Sequence, residues 1–201
     1  MLPLRDNPLP ACAPPPAEFS LDERAWLLRL AHDSIAAALS RAHLEPVVPW
    51  PHLAVPRAAF TTLHLDARLR GCVGFVQALR PLHRTVAETA VAAAFQDPRF
   101  LPVSREEVSL LQVEISVLSP LAEIAPEAVV VGRHGLVVSQ GFRRGLLLPQ
   151  VAVEHGWDRL TLLRETCRKA GLEDDAWRHG AVVEAFTAEV FGDQDFSAPL
   201  V

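Results

Sequence analysis

The segment Leu69-Arg-Gly-Cys-Val-Gly-Phe75 sets one thiol between two glycines, two positions after an arginine. In a strand over 69–76 side chains alternate, so Arg70, Cys72, Gly74 and Val76 share one face, and Leu69, Gly71, Val73 and Phe75 the other. Arg70 and Cys72 then stand roughly 7 Å apart at Cα. A guanidinium at that range favours the thiolate, the form that attacks electrophiles and binds metals. Gly71 and Gly74 allow close approach by a ligand or another backbone. The same features also fit a bulge in which Cys72 fills a small space. The residues alone leave both readings open.

Three more polar residues are candidates. His155 follows Glu154 at the end of a short helix, where the dipole favours imidazolium and can tune an acid or base; a favourable last-turn residue is the plainer reading. Glu114 lies on the polar side of an alternating strand, as a cleft carboxylate or a solvated one. Gln150, directly after "LLLP", can donate and accept at a cleft mouth. Cys167 shares a helix face with Leu160, Leu163 and Ala170 and reads as core. Cys12 lies in a stretch with six prolines in its first sixteen residues and is assigned no role. No CxxC, HExxH, P-loop, GxGxxG or GxSxG pattern occurs, so no metal site is expected and no cofactor can be named.

These side chains need elements to hold them. "SLDE" at 20–23 is a capping box, and Leu27, Leu30, Ala31, Ile35 and Ala38 continue it as an amphipathic helix. A proline-rich connection follows. "FTTLHL" and "LRGCVGFV" form a hairpin about Asp66-Ala67-Arg68. Pro81 opens a helix that must stop before Pro98, and "SREE" at 104–107 is a second capping box. "LQVEISVL" alternates as a half-buried strand. From Val129, "VVV", "LVV" and "LLLP" predict a small antiparallel meander. Two helices follow, stopping at Gly156 and Gly171, and "VVEAFTAEVF" is a last strand. Helices and antiparallel strands without βαβ units predict an α+β fold.

Half the residues are apolar, 21% are charged, and the net charge is −5. This is a globular composition with little to track phosphates, so nucleic acid binding is not expected. Three scattered cysteines make no disulfide framework. No run is long and apolar enough to span a membrane, and the start lacks a secretory pattern. A reduced, cytoplasmic protein is expected.

Read in order, "LRGCVG", "AAFQDPRF", "VEISVLSP", "GRHGLVV", "RRGLLLPQVAVEHGWD" and "TCRKAGL" resemble the AMMECR1 domain family over roughly residues 20 to 192. Val73 stands where the family's hexapeptide usually has isoleucine. The resemblance implies a larger lobe with both chain ends, a smaller lobe, and a cleft between them near the hexapeptide. The six early prolines read as a flexible tail at 1–19, and the resemblance sets the domain at 20–192, with a C-terminal tail at 193–201. It points to Arg70, Gly71, Cys72 and Gly74, accompanied by Gln150, His155 and Cys167, and to a Memo-like protein and a radical SAM protein as partners.

Two functional readings follow. In one, Cys72 is a nucleophilic or redox thiol in the cleft, activated by Arg70, with His155 or Glu114 handling protons. In the other, the cleft of a non-catalytic module holds a small ligand, a peptide or a partner surface, and Cys72 shapes its wall.

Overall fold

A computed structural model describes residues 17–196. Positions 1–16 of the expected proline-rich tail lie outside the described residues.

Helix α1 (Leu21–Ser40) starts at the Ser20/Glu23 capping box and ends at Arg41, which adopts a left-handed conformation. It buries Leu27, Leu28, Ala31 and Ile35. After a 3₁₀ turn at Pro51–Ala54, strands β1 (Ala59–Leu65) and β2 (Arg68–Phe75) form the predicted hairpin. Asp66 and Ala67 both take positive φ at its turn, which matches the twist of a two-residue hairpin loop. Helix α2 (Leu82–Phe95) stops ahead of Pro98, and short helix α3 (Arg105–Val108) carries the second capping box.

Strand β3 (Gln112–Leu118) alternates in burial as far as Ile115, after which Ser116, Val117 and Leu118 are all buried. The next strand is β4 (Ala122–Glu123), followed by β5 (Gly135–Gln140) and β6 (Arg143–Leu147). The predicted strand at 129–131 is not formed: Val129 is buried in the smaller core as part of an irregular segment. Helices α4 (Pro149–Glu154) and α5 (Arg159–Lys169) follow, the latter capped by Asp158. The final apolar run, read as one strand, divides into β7 (Val182–Phe186) and β8 (Ala188–Gly192).

That division ties the molecule together. The larger antiparallel sheet has the order β2-β1-β3-β8 and the smaller one β4-β7-β5-β6, so the chain changes sheets at Thr187. The larger sheet packs one face on α1 and α2 around Leu63, Val86, Val113, Ile115 and Phe191. The smaller sheet packs on α5 and α4 around Leu136, Val138, Leu162 and Cys167. A third apolar cluster, with Ala58, Leu118, Val137 and Phe186, joins the lobes. The fold is α+β, with five α-helices among the described residues.

Residues 193–196, expected to belong to a C-terminal tail, pack on the larger lobe. Asp193 accepts hydrogen bonds from His32 Nε2 at 2.8 Å and from the Val113 N–H at 2.7 Å. Phe196 rests partly buried on the same core. Among the described residues no helix is long and apolar enough to cross a membrane.

Candidate functional site around Cys72

Strand β2 is an edge strand, and its register explains what surrounds the thiol. Thr62 faces Cys72 and Leu63 faces Gly71, but His64 faces Leu69. Arg70 is therefore the extra residue of a β-bulge, and bulges interrupt the strict alternation of faces. Its guanidinium turns to α3. Nε and Nη2 donate to the two carboxylate oxygens of Glu107 at 2.8 and 3.0 Å, and Nη1 donates to the Leu101 carbonyl at 2.8 Å. Glu107 also accepts from the Ser104 N–H. The Arg70 contact, then the Ser104 N–H, pulls the Glu107 pKa down to about 2. Arg70 clamps the 101–107 segment to the bulge. The expected pairing of Arg70 with the thiol is not made, because the bulge removes the alternation on which it depended.

A different arginine serves Cys72. Pro98 stops α2, and Asp97 then folds a tight turn by accepting the Arg99 N–H at 3.1 Å. This turn lies along the free edge of β2. Asp97 Oδ2 accepts the Cys72 N–H at 2.9 Å, while Arg99 Nη2 donates to the Cys72 carbonyl at 3.3 Å. The Asp97–Arg99 pair thus occupies the hydrogen-bonding place of a neighbouring strand. Its own contacts are bidentate, at 3.0 and 2.7 Å. The Asp97 side chain is 3% exposed against 55% for Arg99, so the pair has a buried anionic end and a wet cationic end. The Arg99 bond, followed by the Cys72 N–H, holds Asp97 well below the usual carboxylate range. Arg99 is raised in turn, mainly by Asp97, with the Cys72 side chain contributing.

With its backbone groups turned to the edge, Cys72 forms the closer type of cross-strand pair with Thr62. The Thr62 hydroxyl donates to Sγ at 3.4 Å. Glu114 is directly opposite Thr62 on the other side, so Cys72, Thr62 and Glu114 form one row across three strands on the face away from α1 and α2. Neighbours in such a row stand roughly 5 Å apart at Cβ. All three are half-buried. The parallel row beside it has Gly74, Phe60 and Ser116. Gly74 is required there, since a Cβ would lie 2.1 Å from the Phe60 ring. Gly71 faces the opposite way, where a Cβ would lie 2.1 Å from the Ala93 carbonyl oxygen of α2.

His155 and Gln150 are exposed residues of the smaller lobe. The His155 ring stacks on Trp157 at 4.8 Å, and Gln150 lies in the first turn of α4. Neither joins the Cys72 row. Cys167 is fully buried, as expected, and burial raises its thiol pKa. Among the described residues no group of three or more His, Cys, Asp or Glu side chains is placed to hold a metal ion.

Two cavities flank the 76–79 segment that follows β2. One, of about 470 Å³, lies beneath Phe60, Gly74, Phe75 and Leu79. The other, of about 380 Å³, opens between the lobes and is lined by Val76, Leu118, Leu146 and Phe186. Cys72 lines neither; Val76 lies roughly 13 Å further along the strand. Thr62, Asp97 and Arg99 are the site residues missed from sequence. The signal for the last two was present in "QDPRF", where a helix stop separates an acid from a base.

The sequence model of the AMMECR1 family matches residues 28–191. A Methanopyrus kandleri protein is 38% identical over 195 residues, covering 91% of this chain and 94% of that protein. A Pyrococcus furiosus protein is 42% identical over 184 residues, covering 84% and 87%. The crystal structure of an uncharacterised protein from Pyrococcus horikoshii superposes with a TM-score of 0.70 at 41% identity, covering 85% of this chain and 91% of that one.

Proposed function

The chain belongs to the AMMECR1 family, and from that premise we propose that it is a component of a Memo-like and radical SAM-associated enzyme system, using Cys72 as a reactive thiol. The observation that carries this reading is the set of contacts at Cys72. The sulfur accepts from Thr62, and the Arg99 guanidinium donates to the carbonyl of the same residue, which sets a cation beside it. A cation and a hydroxyl donor are what an attacking or redox-active sulfur needs to hold negative charge. Arg99 takes the role first assigned to Arg70. Glu114, next in the row, is the carboxylate that the strand register sets beside Thr62 to exchange protons across it.

Iodoacetamide labelling of the folded protein, mapped by peptide mass, tests the thiol. Cys72 is expected to react while Cys167 stays unmodified, and Arg99→Gln to slow Cys72 labelling several-fold. Equal rates in both proteins, or no reaction at Cys72, would reject a charge-assisted thiol. The second reading, a binding module, is favoured by the two cavities that flank the segment following the hexapeptide strand. Co-purification of Cys72→Ser with the Memo-like partner separates the two: binding retained and biological activity lost supports the thiol, whereas both retained supports the module.

A further inference from the structure

We infer that the inter-lobe cavity is a binding site for a small amphiphilic carboxylate, with its apolar body between the sheets and its head on Arg144. The cavity volume, about 380 Å³, lies toward the small end of the roughly 300–1,000 Å³ typical of small-molecule sites. Both lobes build it: Leu118 comes from the larger sheet, Leu146 and Phe186 from the smaller.

Its charge is one-sided. Arg57 and Arg144 line the cavity and no acidic residue does, although the chain as a whole is acidic. Arg57 is already held by an ion pair with Glu18. Arg144 is held more loosely: it forms an ion pair with Glu184 at 3.7 Å, beyond hydrogen-bond reach, so its planar fork of donors can still take a bidentate carboxylate. The Gln77 side chain is a second polar liner without a hydrogen bond among the described residues. An apolar cavity with few convergent polar groups fits an aliphatic or aromatic acid and not a polyanion. The neighbouring cavity under Phe60 is less suited, because its arginine, Arg80, is paired with Glu88 and stacked on Phe75.

This site does not depend on Cys72 chemistry, and its test is arranged so that the two fail separately. Isothermal titration of the full chain with sodium octanoate is expected to show saturable binding, with neutral octanamide roughly tenfold weaker, the loss of one charge-assisted contact. Arg144→Gln should remove that preference without lowering the melting temperature, since the side chain is half exposed. Cys72→Ser should bind octanoate as the unaltered protein does. No saturable binding at millimolar octanoate, equal affinity for octanamide, or an unchanged preference in Arg144→Gln would each overturn the assignment.

Discussion

Replacing Asp97 by alanine tests whether the Asp97–Arg99 turn holds the edge of the hexapeptide strand. The carboxylate accepts four N–H groups: the backbone of Cys72 and Arg99, and two from the Arg99 guanidinium. The guanidinium is 55% exposed and rehydrates when released, so its share is close to that of a surface ion pair, about 0–1 kcal/mol. The bond from Cys72 to a buried carboxylate is a charge-assisted one, about 1.5–3 kcal/mol, and the Arg99 N–H adds about 1 kcal/mol. Asp97→Ala should therefore cost about 3–4 kcal/mol in urea denaturation at neutral pH. Asp97→Asn, which keeps an acceptor for the Cys72 N–H, should cost about half of that. The sign of the pH dependence follows from the depressed carboxyl. The Asp97 contribution is fully present above its ordinary value of 3.8 and falls away as the folded carboxylate is protonated in stronger acid. The gap between the parent and Asp97→Asn should thus be flat from neutral pH to about 5 and narrow below 3.8. A cost under about 1 kcal/mol for Asp97→Ala would refute the reasoning, since β2 would then hold its edge without the turn.

Two further outcomes are expected. Gly71→Ala puts a Cβ 2.1 Å from the Ala93 carbonyl oxygen, so β2 and the α2 backbone must separate; a loss of about 1–3 kcal/mol should appear as a lower melting temperature. Glu107→Gln weakens the Arg70 clamp. Because the Glu107 carboxylate is pulled from 4.5 to about 2, its contribution is complete above 4.5 and disappears as pH falls toward 2. The stability difference between parent and variant, measured by denaturation at a series of pH values, should close over that window.

Much of the architecture was legible locally. The Ser20 and Ser104 capping boxes, the hairpin turn, one residue shorter than read, the stop before Pro98 and the alternation of the first half of β3 each depend on neighbours within a few residues. Glu114 was correctly placed on the polar face of its strand, and alternation could show that much. Its place in one row with Cys72 needed the β1–β2 and β1–β3 registers, which pair residues far apart in sequence. The split of the last apolar run between two sheets was equally hidden, because both halves have strand-like patterning and only packing assigns each to its sheet.

The sequence by itself determined the candidate segment, the hexapeptide with its thiol and its two tight glycines, together with most of the helices and strands around it. Tertiary structure alone decided which arginine bonds to Cys72. A one-residue bulge sends Arg70 to Glu107, and a turn 25 residues beyond Cys72 brings Asp97 to the same strand edge. The physical reason is that a free strand edge must satisfy its N–H and C=O groups, and their partners come from wherever the fold brings a donor and an acceptor.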